Sequence, residues 1–284
     1  MTTLVRKTES ISLDAAPALR VAIAGFGSIG RLVGHHLDLG IAGLRLTGVS
    51  AANLDRARGH LRTYRAPVNA VALSQIANDA DVVVDCVPPH LFRDAVAPAI
   101  ERGLTVVTVS ATALLDHPEL GDQARRSGGR IILATGSVLG LDAMRAANVG
   151  VIHSVRMVTR KPPASLADSA WVSERGLDVA GIAVATMIFE GTAREAARAF
   201  PDKFNLAATV ALAGIGADRV RIEIWLDPKV ERNVHRISVE ADSTRFEMEI
   251  QNLPNPGHEG TGPYTAYTII AALQDLVSPI RYGS

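Results

Sequence analysis

One cysteine, Cys86, in 284 residues excludes an internal disulfide, and its place in an apolar run suits a buried thiol in a reducing compartment. Charge of one sign is not in excess either, because Lys plus Arg and Asp plus Glu both number 29. No overall field therefore favours nucleic acid or an anionic membrane surface, and the expected partners are small molecules or a second copy of the chain. No apolar run approaches the roughly 18 to 20 residues of a membrane span. Residues 1–19 mix Arg6, Lys7, Glu9 and Asp14 with Ser and Thr and lack the apolar centre of a secretory signal. Glu9 and Asp14 also oppose a transit peptide, which leaves a flexible leader on a soluble, cytoplasmic protein as the expectation. Internal repeats and low-complexity segments are missing too. What is abundant is apolar side chain, 48% of the chain, enough for a substantial core in one large or two modest domains.

From Arg20 onward, β-rich runs at 21–24, 44–49, 81–87, 104–109 and 130–133 alternate with helical patterns such as 29–39 and 91–102. Strands alternating with helices imply crossovers and a parallel sheet covered on both faces. Val82, Val83 and Val84 show no polar alternation, as a central strand requires. After about Asn148 the texture changes. A strand is expected at 151–158 and helices at 191–199 and 205–212. Three β-like runs at 220–226, 234–239 and 246–250, separated by turn formers, read as an antiparallel meander. The expected division is a dinucleotide-binding domain at 20–147, a substrate domain of α+β type with an antiparallel sheet at 148–258, and a C-terminal segment, 259–284, whose helix at 264–276 packs back on the body.

Gly25, Gly27 and Gly30 form a G-x-G-x-x-G directly after the first strand and at the start of a helix. Gly25 permits the tight turn, Gly27 lets a diphosphate approach the backbone, and Gly30 lets the helix pack on the strand. The helix start at Ser28, Ile29 and Gly30 then offers N–H groups to the phosphates. The pattern indicates a Rossmann-type doubly wound sheet that binds NADP or NAD. The second strand ends at Ser50 without the carboxylate that holds an adenosine ribose 2′-hydroxyl. Ser50 and Asn53 can hydrogen-bond either cofactor, while Arg56 and Arg58 either attract a 2′-phosphate or form a solvated helix face. NADP is therefore expected to bind at least as well as NAD. Val87 and Pro88, at the end of another strand, are expected to flank the nicotinamide ribose, with His90 either touching ligand or exposed and inert.

A more specific likeness starts at Ala134-Thr-Gly-Ser-Val-Leu-Gly-Leu-Asp-Ala143 and Val158-Thr-Arg-Lys-Pro-Pro163. It continues through Phe189-Glu-Gly-Thr-Ala-Arg-Glu-Ala196, Phe200-Pro-Asp-Lys-Phe-Asn-Leu-Ala-Ala208, and the stretch from Asp227-Pro228 to Asn233-Val-His235. With these motifs the chain resembles the L-aspartate dehydrogenases from about Arg20 to its C-terminus. The resemblance implies reversible oxidative deamination of L-aspartate to oxaloacetate and ammonia through iminosuccinate, and related members supply iminoaspartate for NAD biosynthesis. It implies a catalytic role for His235 and cofactor contacts from Asn205, near the nicotinamide, and from Ser137, where the family usually has alanine.

The residues carry part of this reading unaided. Period-two alternation puts His235 on the face of Ile237 and Val239 and opposite Arg236 and Glu240. An inward imidazole is either a satisfied core residue or an acid–base group that takes a proton from water attacking an imine. Arg160 and Lys161 are candidate cations for the substrate's carboxylates, or else a solvated turn. Asn205, at the start of an alanine-rich helix, could equally be its N-cap. One segment departs from the family: after Asn255-Pro256 comes Gly257-His-Glu-Gly-Thr-Gly262 in place of lysine-threonine-serine. That removes a cation and bears on whether aspartate is the natural substrate; His258 and Glu259 are too isolated to suggest a metal site. The alternatives are an NADP-dependent imine, aldehyde or sugar oxidoreductase on the same scaffold, or a catalytically silent cofactor-binding protein. Antiparallel strands with outward faces and edges suggest a homodimer.

Overall fold

Two sheets organise residues 17–200, 204–252 and 263–283, which the computed structural model describes. The first is built from β1 (Leu19–Ala24), α1 (Ser28–Leu39), β2 (Leu44–Ser50), α2 (Leu54–Leu61), β3 (Asn69–Val71), β4 (Val82–Asp85), α3 (Phe92–Glu101), β5 (Thr105–Thr108), α4 (Ala111–Asp116), α5 (Glu119–Ser127) and β6 (Arg130–Leu133). The second follows with α6 (Leu141–Ala147), β7 (Ile152–Lys161), α7 (Ala170–Glu174), β8 (Thr186–Thr192), α8 (Ala193–Ala199), α9 (Asn205–Ala213), β9 (Val220–Leu226), β10 (Asn233–Ala241) and β11 (Arg245–Asn252). Helix α10 (Pro263–Val277) closes the chain.

The first sheet is parallel throughout, in the order β3-β2-β1-β4-β5-β6. This is a doubly wound Rossmann sheet, whose switch point between β1 and β4 opens a crevice at the strands' carboxyl ends. Successive side chains of β1 supply two cores. Val21 and Ile23 pack with Val82, Val84 and Val107 on the side of α1, α2 and α10. Ala22 and Ala24 pack with Val83 and Val106 on the side of α3 and α5. Helix α1 buries Gly30, Val33, Gly34 and Leu37, a stripe at helical spacing. Helix α10 returns to that layer with Ala266, Ile269, Ile270 and Leu273. Ile269 and Leu273 are fully buried, each favouring this docking by about 1.5–3 kcal/mol.

The second sheet is mixed, in the order β11-β10-β7-β9-β8. The expected three-strand meander is corrected here. β10 and β11 do pair antiparallel, but β7 lies between β10 and β9, parallel to β9. A second correction concerns 191–199: Gly191 and Thr192 end β8, and the helix begins at Ala193 behind a capping box made by Thr192 and Glu195. One face of the sheet is covered by apolar side chains of α6, α8 and α9. The other is charged, with Arg156 paired to Glu223 and Arg236 to Glu249. The expected division at residue 147 falls after α6, whose Leu141, Met144 and Ala147 belong to the second core. Of the expected leader, residues 1–16 lie outside the described residues, and Leu19 already opens β1. Among the described residues no helix is long and apolar enough to cross a membrane.

Candidate active site

The glycine turn performs three separate steric tasks. Gly25 has φ +94°, and a Cβ there would stand 2.3 Å from the carbonyl oxygen of Cys86. A Cβ on Gly30 would stand 2.1 Å from the carbonyl oxygen of Gly25, so α1 starts hard against the turn. Gly27 differs from both: its φ is −81°, and a Cβ would meet nothing within 4 Å. The fold itself does not need glycine at 27. What the missing side chain leaves is open space at the N-terminus of a helix, the cradle that a diphosphate fits.

That space belongs to a cavity of about 620 Å³ lined by Gly25, Gly27, Ser28, Val87 and Pro88 among others. Gly30 and the partly buried Ile29 lie behind it, and Ser50 is buried with its hydroxyl accepting from the Gly25 N–H at 3.3 Å. Ser137 lies outside the cavity lining, on a loop tied down by Gly136 N–H donating to Thr268 of α10. His90 is exposed and does not line the cavity. Arg58 turns away to pair with Asp55 at 2.7 Å, whereas Arg56 faces the cavity.

Three lining or bordering features were missed from sequence. Arg31 of α1 and His60 of α2 line the cavity beside Arg56; Arg56 and His60 are four residues apart, a spacing that shares a helix face. Asp85, fully buried at the end of β4, accepts from Thr108 Oγ1 and Ser110 Oγ, each at 2.7 Å, and from Val87 N–H at 3.2 Å. Burial pushes its carboxyl above the usual range, and these donors oppose the shift. Asp85 thus ties together the carboxyl-end loops of β4 and β5.

His235 belongs to a second cluster. It is buried on β10 opposite Thr159 of β7, and its Nδ1 lies 3.1 Å from the Thr159 hydroxyl. Lys161, two residues along β7, is buried on the same face, with its ammonium 5.6 Å from the Phe204 ring centre. Burial, and then the nearby Lys161 charge, lower the His235 pKa to about 3. The imidazole is therefore neutral in the substrate-free protein.

The structure separates the two cationic candidates. Arg160 emerges on the opposite face of β7, paired with Asp227 at 3.1 Å and stacked over Trp225. Only Lys161 shares the face of His235. Asn205 opens α9 but does not cap it; its Oδ1 accepts the Thr112 N–H at 3.1 Å. Thr112 lies in the first turn of α4, where Ser110 makes no side-chain cap because its hydroxyl is used by Asp85. An orphan helix N–H of the first domain is thus satisfied from the second. The altered segment 257–262, with His258 and Glu259, lies outside the described residues.

Comparisons with known proteins agree along the chain. A family model for the aspartate dehydrogenase C-terminal domain matches residues 142–276, and one for the homoserine dehydrogenase NAD binding domain matches 25–134. L-aspartate dehydrogenase from Bradyrhizobium diazoefficiens is 46% identical, with 95% of this chain and 96% of that protein covered. L-aspartate dehydrogenase 3 from Bordetella bronchiseptica is 40% identical, over 96% of this chain and all of that protein. The solved structure of aspartate dehydrogenase from Thermotoga maritima superposes with a TM-score of 0.71 at 25% identity, covering 93% of this chain and 99% of that one.

Proposed function

This chain belongs to the L-aspartate dehydrogenase family, and from that membership we propose that it catalyses the reversible, NAD(P)-dependent oxidative deamination of L-aspartate to oxaloacetate and ammonia through iminosuccinate. The observation that carries the reading is 46% identity sustained over 95% of the chain. Such length takes in both the glycine turn and the His235 face.

The open space at Gly27 fits a dinucleotide, which would be held by the turn Gly25, Gly27 and Ser28, by Val87 and Pro88, and by Ser137 and Asn205 toward the nicotinamide. Ile29, Gly30 and Ser50 support that turn from behind. When bound, the cofactor supplies the two-electron redox chemistry of the carbon–nitrogen bond. The chain's own residues do the rest. Lys161 attracts a substrate carboxylate. Arg160 is set apart from that role by its engagement with Asp227 on the other face.

His235 takes a proton from the water that attacks the imine carbon and returns one to the departing nitrogen, so that iminosuccinate and water become oxaloacetate and ammonia. The Thr159 hydroxyl engages Nδ1, which fixes the ring and directs Nε2 to this work. A carboxylate bound at Lys161 also cancels one of the two effects that depress the imidazole pKa. Substrate binding thereby raises the basicity of the group that needs it.

The test follows nicotinamide absorbance with L-aspartate, D-aspartate, L-glutamate and L-malate. L-aspartate should be oxidised fastest. Turnover of another amine or alcohol with none of L-aspartate would overturn the assignment. A homodimer accompanies this reading, supported by the charged outer face and by β11 and β8 at the sheet's edges; sedimentation as a monomer would oppose it. A cytoplasmic setting suits the lone Cys86.

A further inference from the structure

The wall of the cavity on the β2 side has no acid. Its fourteen lining residues include Arg31, Arg56 and His60 but neither Asp nor Glu. Among the described residues Arg31 pairs with no carboxylate; its Nη1 lies 3.4 Å from His60 Nε2 and its Nε 3.4 Å from the Gly27 carbonyl oxygen. Arg56 makes no side-chain hydrogen bond or ion pair among the described residues. The neighbouring carboxylate, Asp55, is held on the other side by Arg58.

The side-chain acceptors at this strand end are not carboxylates, and each already accepts one backbone N–H. Ser50 Oγ accepts the Gly25 N–H, and Asn53 Oδ1 accepts the Arg56 backbone N–H at 2.8 Å as the cap of α2. Two guanidinium groups and an imidazole around an acid-free cavity attract an anion, and a guanidinium fork matches phosphate oxygens. These groups lie beside the strand end that meets the adenosine ribose in a doubly wound sheet.

We propose that Arg31, Arg56 and His60 form a subsite for the 2′-phosphate of the adenosine ribose, so that the enzyme selects NADP(H) over NAD(H). The subsite rests on the dinucleotide reading of the cavity. Arg56 supplies an unshared fork from α2, Arg31 closes on the phosphate from α1, and His60 adds a ring nitrogen.

Two probes that differ only in this group, 2′-phospho-ADP-ribose and ADP-ribose, are titrated by calorimetry against the whole protein. The phosphorylated probe should bind at least about tenfold tighter, as expected for charge-assisted hydrogen bonds. Arg56→Gln should weaken 2′-phospho-ADP-ribose far more than ADP-ribose and so remove most of that ratio. Arg56→Lys, which keeps the charge and loses the fork, should retain part of it. Arg31→Gln should also reduce the ratio, and added salt should compress it in the wild type. Arg56 is exposed, so its variants keep the fold. Equal affinity for the two probes, or a ratio untouched by Arg56→Gln, overturns the subsite alone. Failure of both probes to bind overturns the dinucleotide reading and the subsite with it.

Discussion

Replacing each of the three turn glycines by alanine separates what the fold needs from what the ligand needs. At Gly27 the new methyl group meets nothing within 4 Å and the backbone is already in a region alanine adopts. Two small effects then oppose one another. Gly27 is the N-cap of α1, a position where alanine is less favourable than glycine, while the unfolded chain loses conformational freedom worth about 0.4–1 kcal/mol. Stability should change by less than about 1 kcal/mol, or a few degrees in Tm. The same methyl occupies the space where a diphosphate would meet the helix N–H groups. Loss of one charge-assisted hydrogen bond, about 1.5–3 kcal/mol, raises the cofactor Kd by about 10- to 150-fold. At Gly30, the contact of 2.1 Å with a backbone oxygen cannot be relieved without shifting α1, a cost of about 1–3 kcal/mol or more. Gly25→Ala adds an unfavourable positive φ to a contact of 2.3 Å with a backbone oxygen and should be the most damaging of the three. Thermal melts paired with fluorescence titration of NADPH read the two axes independently. Unaltered cofactor affinity in Gly27→Ala would refute the placement of the diphosphate on this turn.

Other perturbations address the second cluster. His235→Ala should lower turnover by a factor on the order of 10² or more with cofactor binding nearly unchanged; an undiminished rate in stopped-flow assays removes His235 from the chemistry. Thr159→Val should lower kcat more than it raises KM and shift the pH–rate profile, because Nδ1 loses its partner, and Thr159→Ser should restore both. Lys161→Met should raise KM for aspartate while leaving the cofactor Kd in place, a pattern that equal loss in both would contradict. In the substrate-free protein His235 has a folded pKa of about 3, below the unfolded value near 6.5. The unfolded chain therefore binds the extra proton, and stability is lost as pH falls from about 6.5 toward 3, by several kcal/mol across the window. Denaturant melts of His235→Gln should show a flatter pH dependence there, whereas parallel curves for variant and wild type would exclude the effect.

Where local pattern decides the structure, the sequence was a sufficient guide, and the reason is visible in particular residues. The alternation in β1 feeds two cores because both faces of a parallel strand are covered, and alternation in β10 turns His235 inward beside Ile237 and Val239. Patterns of that kind need no knowledge of partners. The insertion of β7 between β9 and β10 does need it, since its pairing joins residues far apart in the chain and no turn chemistry announces it. The same gap left Arg160 and Lys161 equivalent as candidates: neighbours on a strand point to opposite faces, but only the register that sets Thr159 opposite His235 says which of the two joins the imidazole. Asn205 shows a different limit. Its side chain has the chemistry of a helix cap, yet the helix it serves is α4 in the other domain, because Ser110 there is already committed to Asp85. A residue's chemistry was legible, and its recipient was not, wherever the recipient arrives through tertiary structure. By this argument Arg31 and His60 could be recognised as an anion site only once α1 and α2 were packed side by side, since neither adjoins the other in sequence and each alone reads as a solvated helix residue.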